Sequence, residues 1–217
     1  MDETATPLWV EDWGLLDYRR SFARQEELLR RHLSGGGNDT LVLVAHPDTV
    51  TLGRRGSEAD LCYPEEYYRQ QGVALQRINR GGLATAHEPG QLVAYPVVAL
   101  KKKDVRWFAQ GMLQVVVAVL AEYGIPGTLK DGEPGVWVDG KKICSFGIAL
   151  KKWVSSHGIA LNMNNSLQTF AMIVPCGHSH EQVTSLAREL GHPVDLDVAK
   201  QFFVKHFCQQ FDYQVNG

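Results

Sequence analysis

Residues 135–164 read GVWVDGKKICSFGIALKKWVSSHGIALNMN. Apolar residues alternate with small or polar ones, and Asp139-Gly140 sits between two such runs. An Asp-Gly pair flanked this way is a strong hairpin signal, because both turn positions need positive φ. The stretch therefore predicts antiparallel strands. Period two sends Lys141 and Lys142 to opposite faces, one toward water and one toward the interior or a cleft. By composition alone both read as exposed lysines, whereas a lysine held in a cleft can act as a base or as partner to a thiolate.

Outward from this stretch, TLVLVAH at 40–46, VALQRI at 73–78 and QLVAYPVV at 91–98 read as strands. Between the last two lies a glycine-bearing loop, NRGGLATAHEPG, at 79–90. Apolar positions three to four apart predict helices over 15–33 and 104–123, and PEEYYRQQG at 64–72 predicts a short one that begins with proline. Downstream, TFAMIVP at 169–175 is predicted as a strand leading to Cys176, and helices are predicted over about 181–190 and 195–210. There is no repeat and no low-complexity linker. The order mixes hairpins with helices, without strict βαβ alternation. It predicts an α+β fold: one domain over 1–217, with a mixed, largely antiparallel sheet flanked by helices.

The chain has 217 residues, 44% apolar and 21% charged, with a formal net charge of −2. That leaves no basic surplus for nucleic acid or anionic membrane. No apolar run approaches the roughly 20 residues that span a bilayer. The N-terminal stretch opens with acids and lacks a basic n-region, so a cytoplasmic protein is expected. The four cysteines, at 62, 144, 176 and 208, form no CxxC pair, and a disulfide framework is not expected.

Chemistry concentrates in two segments. In RGGLATAHEPGQ, Gly81 and Gly82 let the backbone approach a ligand, Arg80 offers a charged fork, and Thr85 and His87 offer polar side chains. The segment is neither GxGxxG nor a GxxxxGK[ST] phosphate loop, and a tight inter-strand loop is the plain alternative. In IVPCGHSHEQVT, at 173–184, Cys176 reads as a structural thiol, a nucleophile, or a metal ligand with His178 and His180, joined by His87 or His157. The paired spacings usual in zinc sites are missing. Spacing alone does not choose between thiol and nucleophile.

Taken together, three blocks resemble the octanoyl-acyl-carrier-protein:protein N-octanoyltransferases, the lipoate–protein ligase B family. They are NRGGLATAHEPGQLVAYP at 79–96, PGVWVDGKKICSFGIALKKWVSSHGIALN at 134–162 and IVPCGHSHEQVTSL at 173–186, with TLGRRG at 51–56 fitting beside them. The resemblance implies a fold like the catalytic domains of biotin and lipoate ligases. It places the acyl-accepting cysteine on Cys176 and the catalytic lysine on Lys142. Substrate contacts fall on Arg80, Gly81, Gly82, Leu83, Ala84, Thr85, Ala86 and His87. Further contacts fall on Ser145, Phe146 and Gly147, and on Gly158, Ile159 and Ala160. Two positions depart from the usual pattern, His178 after PCG and Cys144 where alanine is frequent.

The implied reaction moves an octanoyl or lipoyl group from acyl carrier protein to a lysine of a lipoyl domain. Acceptors implied are the lipoyl domains of 2-oxoacid dehydrogenase complexes and the glycine cleavage H protein. No cofactor, metal or ATP is implied, because the thioester carries the activation. Arg54, Arg80 and Lys101 to Lys103 are expected to meet acidic protein substrates, with Arg80 nearest the mouth. The competing readings are an ATP-dependent lipoate or biotin ligase, an acyl-thioester hydrolase, and a non-catalytic acyl-binding module.

Overall fold

The computed structural model describes residues 6–174 and 182–216. Strand β1 (Thr6–Leu15) lies parallel to β2 (Thr40–Ala45), with helix α1 (Tyr18–Leu33) connecting them. The helix starts three residues later than the apolar spacing suggested, because the Asp17 side chain accepts from the amide of Arg20 and caps it. In β2, Leu41 and Leu43 belong to one core and Val42 and Val44 to another, so all four are buried. A strand covered on both faces reads as one continuous apolar run.

The next segment builds a small second sheet. Strands β3 (Thr49–Leu52), β4 (Ala74–Arg77) and β5 (Ala84–His87) are ordered β4-β3-β5, and α2 (Glu65–Gln70) lies between β3 and β4 in the chain. The large sheet then continues with β6 (Gln91–Val97), and helix α3 (Val105–Ala121) follows. Strands β7 (Thr128–Lys130), β8 (Glu133–Val138), β9 (Lys141–Lys151) and β10 (Val154–Asn162) come next. Helices α4 (Leu186–Leu190) and α5 (Leu196–Phe211) precede β11 (Tyr213–Val215). The large sheet has eight strands in the order β11-β1-β2-β6-β10-β9-β8-β7. Strand β1 pairs parallel with β11 and β2, and every other pairing in it is antiparallel.

Helices α3 and α5 cover one face. Phe108, Met112 and Val116 of α3 and Phe203, Phe207 and Phe211 of α5 pack with Leu41, Leu43 and Leu161. The other face carries Val42, Val93, Tyr95 and Ala160, and Leu28 of α1 closes over it. Beside Tyr95 and Ala160 on that face gather Arg80, Thr85, His87 and His157 from the sequence blocks.

Asp139 and Gly140 have φ of 47° and 77°, and Val138 pairs with Lys141 across the turn, as the Asp-Gly pair predicts. A second two-residue turn joins β9 to β10 at Lys152 and Trp153, with φ of 49° and 66°. Neither residue favours that region, so no turn chemistry marked it.

Three expectations need correction. The 79–90 loop contains strand β5, which pairs with β3. The predicted strand over 169–175 is instead a 3-10 turn, Thr169–Met172, and within the described residues only Ile173 bridges, to Leu61. The buried Glu88 carboxylate takes the amides of Leu167 and Thr169, so a side-chain acceptor replaces a strand partner there. Finally, the helix predicted over 181–190 begins only at Leu186, because residues 182–184 are drawn out beside Lys142.

Gly158 lies where β10 crosses β6 so closely that a Cβ would overlap the carbonyl oxygen of Ala94 and come within 2.9 Å of the Pro96 ring. Backbone cannot yield as a flexible side chain would. Gly158→Ala is expected to destabilise by about 1–3 kcal/mol or more. At roughly 2–4 °C per kcal/mol for a chain of this size, calorimetry will register the loss.

Candidate active site

Two adjoining cavities open on the sheet face opposite α3. The inner one, about 20 Å³, is lined by Tyr18, Arg80, Thr85, His87, Tyr95, Ser145, Phe146, Gly147, His157, Gly158, Ile159 and Ala160. The outer one, about 160 Å³, is lined by Arg55, Arg80, Gly82, Leu83, Ala84, Thr85, Gly132, Glu133, Pro134, Lys142, Ser145 and Phe146. Arg80, Thr85, Ser145 and Phe146 belong to both, so the two form one site. Free volume near 20 Å³ holds about one water, so the inner end is tight.

The structure thus brings together Lys142 and twelve of the fourteen substrate-contact residues that the resemblance implied. Gly81 lines neither cavity, but its amide donates to Ile148 O at 3.0 Å and its carbonyl accepts from Arg80, clamping the loop onto β9. Ala86 faces away, into the small core with Val50, Leu52 and Tyr68. Cys176, His178 and His180 lie outside the described residues. Tyr18, Tyr95, Arg55 and Glu133 were not singled out, and His157 was named only as a possible metal ligand. Tyr18 enters from α1, remote from the sequence blocks that carry the chemistry, and Tyr95 enters from β6, inside the first block but within an apolar run.

Arg80 is not a docking residue. It is 7% exposed, and one guanidinium nitrogen donates to both Thr51 O (2.9 Å) and Thr51 Oγ1 (2.8 Å). It is an interior cation that forms a wall of the site. Of the surface cations, Arg55 lines the outer cavity. Lys101 instead packs on Tyr213, Lys102 reaches Asp104 at 3.6 Å, and none of Lys101 to Lys103 lines either cavity.

Lys142 reaches the site through a fault in its strand. Trp137 pairs with Lys142 but Val136 pairs with Cys144, so Ile143 is an extra residue in β9. Ile143 and Cys144 both enter the core under α3, while Lys142 and Ser145 both face the outer cavity. A bulge of this kind re-aims side chains, and without it Lys142 would share the face of Cys144. Lys142 is 3% exposed, its Nζ lies 5.1 Å from the centre of the Trp137 ring, and its stem passes Gly135. A Cβ on Gly135 would stand 2.8 Å from Lys142 Cε. Lys141 faces the other way and pairs with Glu189 at 2.8 Å. The Lys142 amide donates to Gln182 O (2.8 Å) and its carbonyl accepts from the Thr184 amide (2.9 Å).

The inner wall holds an unusual density of imidazole. His46 bonds Tyr95 Oη through Nε2 at 2.9 Å, and His157 bonds Asn79 Oδ1 through Nε2 at 2.6 Å. Burial pushes His46 down to about 4 and His157 down to about 3, the latter helped by the nearby Arg80 and Arg54 charges. His87 lies well below the usual range, again through burial first and the neighbouring His46 second. In the unfolded chain these groups titrate near 6.5 and bind protons that the native state refuses. Their stabilisation is complete above pH 6.5 and is lost as pH falls toward 4. At pH 5, His46 and His157 should each forfeit roughly 2 kcal/mol. Urea midpoints are expected to fall between pH 7.5 and 5, and a flat profile would contradict buried neutral imidazoles.

A match to the lipoyl protein ligase A/B catalytic domain covers residues 17–208. An octanoyltransferase of Alkaliphilus metalliredigens is 38% identical over 209 residues, 95% of this chain and 96% of that protein. An octanoyltransferase of Rubrobacter xylanophilus is 42% identical, over 89% of each chain. The chain belongs to the octanoyltransferase family. Among solved structures, a bi-partite lipoate protein ligase from Thermoplasma acidophilum superposes with a TM-score of 0.80 at 18% identity, covering 97% of this chain and 86% of that one. A biotin protein ligase from Aquifex aeolicus gives 0.55 at 17%, covering 94% and 70%. These two likenesses establish the α+β ligase-type fold that the octanoyltransferase sequence implied. Among the described residues of this octanoyltransferase, no helix is long and apolar enough to cross a membrane.

Proposed function

We propose that this octanoyltransferase carries an octanoyl group from acyl carrier protein to a lysine of a lipoyl domain through an acyl thioester on Cys176, with Lys142 as the proton-accepting group. The observation that supports this best is the bulge at Ile143, which turns Lys142 out of the helix-covered core and into the cavity walled by Arg80, Thr85 and Ser145. The Cys176 thiolate attacks the donor thioester, the carrier sulfur leaves as a thiolate that takes a proton from protonated Lys142, and the acyl group stays on Sγ, leaving Lys142 neutral for the second half. The acceptor amine then attacks the new thioester, gives up a proton to Lys142, and expels the Cys176 thiolate as the amide forms. The enzyme is a transferase of lipoate assembly, working in the cytoplasm.

Magnitudes indicate which half needs Lys142 more. Lowering a cysteine pKa by two units raises the thiolate from roughly 3% to 75% at pH 7. Intrinsic nucleophilicity falls about eightfold over the same interval, so the net gain is only about threefold. An acceptor lysine, however, is neutral only about 0.04% of the time at pH 7, a cost near 4.6 kcal/mol. A positioned base that takes the proton during attack removes much of that penalty. Lys142 therefore serves the transfer step at least as much as thiol activation.

Eight carbons offer about seven methylene and methyl groups, and at about 0.8 kcal/mol each their burial contributes at most about 5–6 kcal/mol before ordering costs. Ala160, with Gly147 and Gly158, supplies the apolar wall, while Ile159 and Phe146 border the cavity but turn their side chains into the helix-covered core. The deciding assay incubates the enzyme with octanoyl-acyl carrier protein and a lipoyl domain, without ATP, and follows intact mass. Amide on the domain supports the reading. A requirement for ATP would mean a ligase, and free octanoate without amide a hydrolase.

A further inference from the structure

Asn162, at the end of β10, is 3% exposed and uses both ends of its amide. Nδ2 donates to Thr184 O at 3.0 Å, while Oδ1 accepts from Gln91 Nε2 at 2.9 Å and from Asn165 Nδ2 at 3.2 Å. The partners fix which atom is which. Thr184 O and Ala86 O are carbonyls and can only accept. Asn162 must therefore present its NH₂ to Thr184. Gln91 Nε2 faces both Asn162 Oδ1 and, at 3.2 Å, Ala86 O, so it must be the NH₂ of Gln91. Gln91 Oε1 then faces His87 Nδ1 at 2.9 Å, where only an N–H makes a bond.

The relay runs from one wall of the site to the other. At one end Thr184 donates its amide to Lys142 O, beside the Lys142 amide bond to Gln182 O. At the other end His87 Nε2 is left as a lone pair, 3.4 Å from Thr51 Oγ1, which also receives Arg80. Every link has a fixed direction, so reversing one reverses or breaks its neighbours.

We propose that Asn162 is a positioning residue that sets both walls of the site at once, placing Lys142 through Thr184 and fixing His87 in its Nδ1–H form through Gln91. His87 thereby offers a hydrogen-bond acceptor, not a donor, beside Arg80 at the inner wall. The Lys142 half of the proposal rests on the catalytic reading above, and the His87 half does not.

The test uses full-length enzyme labelled with ¹⁵N-histidine, with His87 assigned by loss of its signals in His87→Gln. Wild type is expected to show His87 protonated at Nδ1 and bare at Nε2 near pH 7. Gln91→Glu places a carboxylate on Nδ1, cannot donate to Asn162, and should yield a doubly protonated His87 at the same pH. Asn162→Asp loses the donor to Thr184 but keeps the acceptor for Gln91. Its kcat for transfer should drop about 100-fold with KM nearly unchanged, the scale set by small misplacements of a reacting group. A wild-type His87 protonated at Nε2 overturns the proposal, even if no variant folds. So does a folded Asn162→Asp enzyme whose kcat stays within about threefold of wild type. If Lys142→Ala leaves transfer intact while the His87 tautomer is as stated, the catalytic reading fails and the relay to His87 stands.

Discussion

Cys176→Ala abolishes the octanoyl mass increment, and with it all amide formation on the acceptor domain. That is the result expected when enzyme and octanoyl donor are mixed and intact mass is read before acceptor is added. The other three cysteines provide internal controls. Cys144 is fully buried in the core, and burial pushes its thiol up to about 12, so it holds too little thiolate to compete. Cys208 is half-buried on α5 and is raised in the same way, while Cys62 is exposed but lines neither cavity. Each of these changed singly to alanine is expected to keep the increment. An increment that survives Cys176→Ala would remove the covalent route altogether.

Lys142→Ala is expected to lose nearly all transfer, whereas Lys141→Ala keeps most of it. The contrast is sharp because the two are adjacent and of one type. Lys142 reaches the outer cavity, and Lys141 pairs with Glu189, which also accepts from Thr184 Oγ1. If an unassisted amine had to supply its own neutral form, the transfer step would carry the whole penalty near 4.6 kcal/mol, a factor above 10³ in rate. Acyl-enzyme formation should suffer far less, so rapid-quench measurements with Lys142→Ala should show acyl-Cys176 accumulating. Equal losses from both substitutions would mean that the lysines act as surface charge.

Much of this was legible in the chain, for identifiable reasons. The Asp139-Gly140 turn, the doubly buried β2 and helix α3 declare themselves because local chemistry and tertiary environment agree. The opposite faces of Lys141 and Lys142 followed from strand period alone. Which cavity-facing neighbours Lys142 would keep did not follow, since the extra residue at Ile143 appears only when β9 is paired with β8. Strand β1 was hidden because Glu11 and Asp12 lie on an outer, largely exposed strand whose register is dictated by β2. The 169–175 error has the same character. A buried carboxylate 79 positions away from Leu167 decides that segment's geometry, and no window of sequence contains both. Arg80 was misjudged because an arginine beside glycines reads as exposed until Thr51 supplies its two acceptors.

The reach 182–184 is bonded to Lys142 through both of that residue's main-chain groups, and through Thr184 O to Asn162. The Lys142 and Thr184 amide bonds are neighbouring rungs of one short ladder, so opening one loosens the other. Their amide protons should therefore exchange in step, with one opening free energy shared across 42 positions of sequence. Helix α5 and the centre of β10 belong to the large core and should open only with the whole molecule. A lower shared value for the Lys142–Thr184 pair would define a separate cooperative unit. The enzyme would then carry the lysine proposed to accept the proton on a part that loosens before the scaffold does, and the energy gap between the two would limit how far the fold can be stabilised without slowing turnover.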